Sequence, residues 1–408
     1  MHSFHRFLIL CAGICLLPLS LNAIVTKWVV GNGDWNQAAN WDNGVPKSAD
    51  SAMIDPGSPV VVTLPAFSMG VAAHITIGAS MTLRVVQDAE LRVGSPLGST
   101  SDSTGIYLAG KLIIDGRLNV GRIGGDGIFI ASSGGLDNNG EVVIFETALH
   151  GAFVEGLFEN DSTLTVVDAG EEGIQTSGAG ILLNNSLIDI GPTVPFKNDM
   201  RIFGSATSIN TGTITLASHL NILGIAGPAT LQNSGTITAE LLNVSFTGAI
   251  ENEGKIEIAN TVNVTTNALI ENDGVIVANY LFANSQIMNR DTIVVFNSST
   301  VNPGILIDSG EVSPNVYIGT IENEATGVIL VTSTQEVGII CKGSTSLSNA
   351  GEIYVTTTST DLGLQVDNLA TVTCTSTSLT AIESIGDPLQ VDEGAVLDVQ
   401  LGAIFETN

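Results

Sequence analysis

An apolar residue, an asparagine two positions on, a glycine two after that and then alternating apolar residues recur along this chain. The unit reads LDNNGEVVI at 136–144, IENEGKIEI at 250–258, IENDGVIVA at 270–278 and LSNAGEIYV at 347–355. Repeated at roughly 20–25 residues, such a unit is too short to bury its own apolar face and must stack on its neighbours. That constraint points to a solenoid.

Aligned on the asparagine, the repeat gives Asn138, Asn160, Asn184, Asn210, Asn233, Asn252, Asn272, Asn289, Asn323 and Asn349, at intervals between 17 and 34 residues. Unequal periods fit a coil with constant strands and variable loops. After each asparagine the alternation has the period of a strand, as in Ile256 and Ile258, Ile276 and Ala278, or Ile353 and Val355. Val, Ile and Thr dominate these stretches, and no segment carries an apolar 3.6-residue period over three turns. The expected fold is all-β: a single-stranded parallel β-helix, right-handed because parallel crossovers take that hand. The repeated asparagine is expected at a bend, where it tolerates a left-handed backbone and its amide donates and accepts along the stack. The glycine relieves crowding as the next strand begins. Looser alternating pairs (Ile75 and Ile77, Leu83 and Val85, Leu112 and Ile114) extend the pattern toward the N-terminus. Stretches rich in Ser, Pro, Gly and Asn at 95–105, 191–201 and 297–304 read as external loops.

Residues 1–23 read as an export signal: Arg6, an apolar stretch over 7–17 too short to span a bilayer, and Leu21-Asn22-Ala23 before an expected cleavage. No later stretch has 18 uninterrupted apolar residues, so no transmembrane segment is expected and the chain reads as secreted or held at the cell surface. Acidic residues outnumber basic ones 41 to 13, for a net charge of −28, which disfavours nucleic acid and anionic lipid as partners. Two cysteines follow the signal, Cys341 and Cys374. In an oxidising compartment they read either as a disulfide or as two buried thiols.

The head, 24–60, differs from the coils expected over 61–408. It holds all three tryptophans, Trp28, Trp35 and Trp41, in WVVGNGDWNQAANWDNGVP. Through Trp35, Asn40, Trp41, Gly44, Val45 and Pro46 this segment resembles a motif at the start of many bacterial surface and secreted β-helix proteins. The Asn/Gly coils are similar to those of pectin-lyase-like and adhesin-type β-helix proteins. The resemblance implies a fold shared by adhesins, surface-layer proteins and polysaccharide-degrading enzymes, and so leaves activity open. The tryptophans admit two roles, stacking on sugar rings or capping the first coil; their position favours the cap. Asp34, Asp42, Asp50 and Asp55 lie beside them and make calcium the one cofactor to consider, although no EF-hand spacing is present.

The most chemistry-like stretch is IIDGRLNVGRIGGDG at 113–127. Alternation places Asp115, Arg117 and Asn119 on one outer face, with Arg122 and Asp126 nearby. Resemblance to the pectate-lyase group would ask of them a basic proton acceptor and carboxylates holding calcium against a uronate. The plainer expectation is surface ion pairs. His74, His150 and His219 stand isolated in sequence, and Glu171-Glu172 reads as a turn. No nucleophile elbow, zinc-type spacing or helical phosphate loop occurs. The sequons at Asn160, Asn184, Asn243, Asn263 and Asn297 are best explained by the repeat. Strand-like sequence continues to Phe405 without a polar cap, which raises end-on self-association. The sequence therefore favours an exported, acidic, non-enzymatic structural or adhesive β-helix meeting polysaccharide or cell-surface components. The alternative is a carbohydrate-active enzyme of the same fold. A lateral groove lined by carboxylates and a basic residue would favour the enzyme, and flat polar strands the rod.

Overall fold

The computed structural model describes residues 23–94, 103–191, 199–224, 227–297, 302–309, 319–333, 336–357, 362–367, 369–384 and 387–407. Within them, 44 strands alternate with tight turns, and a three-residue 3-10 turn at Ala38–Asn40 is the sole helical element. The export-signal reading falls outside the described residues up to 22, as do 95–102, 192–198 and 298–301 of the expected loops. No helix among the described residues is long and apolar enough to cross a membrane.

The strands form a parallel β-solenoid of about 14 turns. One coil shows the rule. Its first strand, Gly135–Asn138, ends on the repeated asparagine; Asn139 and Gly140 turn the chain into a second strand, Glu141–Ile144. A loop leads to a third strand, Ala152–Val154, and a short turn to Leu157–Asn160, the first strand of the next coil. First strands stack on first strands in a sheet of 16, while the second and third lines together make a sheet of 28. Pairing is in register, Leu136 beside Phe158 and Asn138 beside Asn160. Alternation therefore sends Leu112, Leu136, Phe158 and Leu182 into the same interior column, all fully buried. Each such side chain contributes roughly 1.5–3 kcal/mol when taken out of water.

Loop length sets the cross-section. Where asparagines lie 19, 20 and 17 residues apart, no residues remain for a loop, and second and third strands fuse. Thr236–Phe246, Lys255–Val264 and Val275–Ala283 are these fused strands. The register shifts at Ala239/Leu241 and Ile258/Thr261 mark the corners that the loops would have made.

The glycine of the repeat is set by close approach. A Cβ on Gly254 would lie 2.1 Å from the carbonyl oxygen of Gly235 one coil below, and on Gly274, 2.2 Å from that of Gly254. The asparagine differs from expectation in one respect: none of the ten has a positive φ. Each closes an extended strand with its side chain turned inward, and a left-handed backbone would swing the amide out of the column. Parallel stacking also begins before residue 61, since Val25–Lys27 pairs with Ser51–Ile54 and that strand with His74–Ile77. Cys341 and Cys374 are free and buried, which excludes the disulfide reading. Cys341 lies in a third strand between Ile307 and Val366, whereas Cys374 ends a first strand above Asn349, so the two sit on different walls. Burial pushes the Cys341 thiol up to about 12, helped by the charge of Asp367.

Candidate functional site

The ten repeat asparagines form one buried hydrogen-bonded column. From Asn138 to Asn349, each Nδ2 donates to Oδ1 of the next asparagine at 2.7–2.8 Å, nine bonds in a single direction. The second amide hydrogen goes to backbone oxygens, for Asn272 those of Gly274 and Thr292. At the first rung, where the coil below offers Ile114, Oδ1 of Asn138 accepts from Gly140 N–H. At the last, Asn349 donates to Thr380 Oγ1 at 3.0 Å, because the coil above presents Cys374. Two of the sequon asparagines make a shorter outer column on the third strands. Asn263 donates to Asn243 and Asn243 to Asn221, in the opposite direction.

Trp28, Trp35 and Trp41 are at most 3% exposed, so no ring face is open for stacking on a sugar. Trp41 meets Trp28 and Trp35 edge-on at 5.0 and 4.9 Å, and its Nε1 donates to Trp35 O at 2.8 Å. The segment folds inward because the strand Gly33–Asp34 joins the first-strand sheet and carries Trp35 into the interior with it. Of the neighbouring carboxylates, Asp34 accepts from Asn36 N–H, Asp42 from Lys27 N–H, and Asp50 from the N–H groups of Ile24 and Lys47. Asp34 and Asp50 thus cap local turns, and Asp42 and Asp50 also tie the turns to the strand at 25–27 and to the residue before it.

Asp115, Arg117 and Arg122 do not converge. Asp115 sits in the bend before the strand Arg117–Val120 and pairs with Arg84 at 2.6 Å and with Asn139. Arg117 pairs with Glu141 at 3.2 Å, and Arg122, at φ 55°, lies 3.8 Å from Glu146. The bend turns the Asp115 carboxylate away from the strand face that Arg117 shares with Asn119. Arg122 does line a lateral cleft of about 720 Å³ with Arg92, Asn119, Phe145, Glu146 and Asp168. It lies where second strands end and loops begin.

A second cluster was hidden in the sequence. Asp126, His150 and Glu172 each immediately precede the glycine that opens a third strand, so stacking sets them one above another. His150 Nδ1 meets Asp126 Oδ1 at 2.7 Å, while Nε2 lies 3.2 Å from Glu172 Oε2 and 3.6 Å from Glu171 Oε2. Arg201, from the following coil, reaches Glu172 Oε1 at 3.4 Å and covers the Phe203 ring. Burial alone would lower the His150 pKa, but hydrogen bonds to Asp126 and Glu172 and their charges raise it to about 9. Burial likewise works against the Glu172 charge, yet His150 and Arg201 hold that carboxyl at about 2. Beside the cluster, Tyr107, Phe129 and Phe153 stack at 5.5 and 5.2 Å, and His150 packs edge-on to Phe153 at 5.0 Å. The isolated histidine of the sequence is thus the centre of a four-coil polar column. The signal is the residue before each strand-opening glycine, at 126, 150 and 172.

No protein-family model matches the chain, and no curated protein matches it.

Proposed function

We propose that this chain is an exported, acidic, non-enzymatic β-helix that serves as a structural and adhesive element at or beyond the cell surface. The observation that carries this reading is the unbroken asparagine column running from Asn138 to Asn349 beside a continuous aliphatic core. Fully satisfied buried polar networks rigidify what they cross. A stiff rod of high negative charge stays soluble and holds its loops at fixed spacing. In this reading the Trp-rich head closes the N-terminal end of the interior, and the partners are polysaccharide or other cell-surface components. Asp115, Arg117 and Arg122 support it indirectly, each being engaged by a neighbouring coil as an ion pair.

One observation favours a second reading, a carbohydrate-active enzyme: the lateral cleft with Arg92, Arg122, Glu146 and Asp168 on its walls. A single experiment separates the two. Purified protein is incubated with pectin, alginate and related polymers, with and without calcium, while unsaturated or reducing products and retention on the immobilised polymers are followed together. Retention without turnover supports the adhesive rod. Turnover abolished by Arg122→Ala or Arg117→Ala overturns it.

A further inference from the structure

We propose that His150, Glu171 and Glu172 form a binding site for one divalent transition-metal ion of the zinc type, with Asp126 as the residue that positions the imidazole. The proposal is independent of the adhesive or enzymatic reading.

The argument begins with distances. Zinc held at about 2.0–2.2 Å by nitrogen and oxygen ligands in a tetrahedron puts those ligands about 3.3–3.6 Å apart. His150 Nε2 already lies 3.2 Å from Glu172 Oε2 and 3.6 Å from Glu171 Oε2, and all three ligand atoms fall within 4.8 Å of one another. Two edges of the tetrahedron are in place, and the third closes by rotation of the more exposed Glu171 side chain.

Orientation comes next. A histidine that ligates a metal through one ring nitrogen characteristically donates the other N–H to a carboxylate, which fixes tautomer and ring plane. Asp126 Oδ1 occupies that position, 2.7 Å from Nδ1. Phe153 holds the ring from the side at 5.0 Å. The backbone beneath is fixed as well: Gly127 N–H donates to His150 O, and Gly151 N–H to Glu172 O, both across coils.

Ligand chemistry points the same way: the column brings one imidazole together with the carboxylates of Glu171 and Glu172. Calcium and magnesium favour six or more oxygen ligands, whereas one imidazole with two carboxylates suits zinc and its neighbours. Access runs past Glu171, whose side chain is 37% exposed, against 12% for His150 and 8% for Glu172.

The test uses untagged full-length protein stripped with EDTA and desalted. Zinc is titrated calorimetrically at pH 7.5, and cobalt(II) is followed by its visible absorption. Expected are one zinc per chain at the site and a tetrahedral-type cobalt spectrum. His150→Ala should lower the affinity at least tenfold and abolish that spectrum, and Glu171→Gln should also weaken binding at least tenfold. Asp126→Asn should weaken zinc about 10–100-fold, the usual range for loss of a carboxylate behind a ligating histidine. Because Glu171 is partly exposed, Glu171→Gln should keep the circular dichroism of the parent, so its result stands even if His150→Ala misfolds. No saturable zinc binding in the parent, or binding unchanged in folded Glu171→Gln, overturns the proposal.

Discussion

Asn252 donates Nδ2 to Oδ1 of Asn272 at 2.7 Å while its own Oδ1 receives Nδ2 of Asn233, also at 2.7 Å. Each side chain is both a donor and an acceptor within a dry column, so removing one strands a group on each side. Asn252→Ala leaves the Asn233 amide hydrogen and the Asn272 carbonyl without side-chain partners. The expected cost is about 2–4 kcal/mol, since each buried unsatisfied polar group costs roughly 1–3 kcal/mol. Urea unfolding measures the total, and hydrogen exchange of the residues around 233–289 shows whether the loss is local. A change below about 0.5 kcal/mol would make the column incidental to stability.

The Gly254–Gly235 approach gives a second expectation. Gly254→Ala places a methyl group 2.1 Å from a backbone oxygen that cannot swing aside, so adjacent coils must part. Overpacking of this kind costs typically about 1–3 kcal/mol. A glycine-to-alanine change at a compatible exposed position would instead be neutral or stabilising. Thermal melting of the variant decides between them.

Stability should depend on pH through the His150 column. The folded-state pKa of His150 is raised to about 9 from an ordinary 6.5, so its contribution is complete below 6.5 and is lost as pH rises through about 9. Glu172 is lowered to about 2 from 4.5, so its contribution is present above 4.5 and is lost as pH falls through about 2. With EDTA present, the melting temperature should be highest between about 4.5 and 6.5 and fall on both sides. His150→Gln should flatten the alkaline limb. An unchanged alkaline limb in that variant would assign it to other groups.

Trp41 joins the other two indoles, and its loss should be felt throughout the head. Trp41→Ala is expected to cost about 3–5 kcal/mol, the range for a large aromatic deleted from a packed interior. Trp41→Phe keeps most of the volume but removes the bond from Nε1 to Trp35 O, so it should cost less. Near-ultraviolet circular dichroism and limited proteolysis of residues 24–60 report the outcome.

The coil was legible because its rule is local. Asn252 and Gly254 sit two residues apart, and the alternation of Ile256 and Ile258 follows at once. The intervals even encoded shape, since 17 residues between Asn272 and Asn289 leave no room for a loop and produce the fused strand Val275–Ala283. Asp126, His150 and Glu172 were not legible by the same means. They stand 24 and 22 residues apart in an array of uneven period. Only the coil-by-coil register, set by loops between second and third strands, aligns them. Asp115 and Arg117 are the opposite case: two residues apart, they would share a face by alternation alone, and the bend between them sends each to a different neighbour.

Because every interior rung of the column ends in the same donor and the same acceptor, a whole coil is an exchangeable part. Excising residues 253–272 would join Asn252 to Asp273 and restore the order Asn, acidic residue, Gly, Val at the junction, with Asn252 then facing Asn289. Duplicating the same stretch would add a rung in the same way. Length is therefore open to gradual change: losing or gaining one such turn keeps the donor–acceptor pattern of the column.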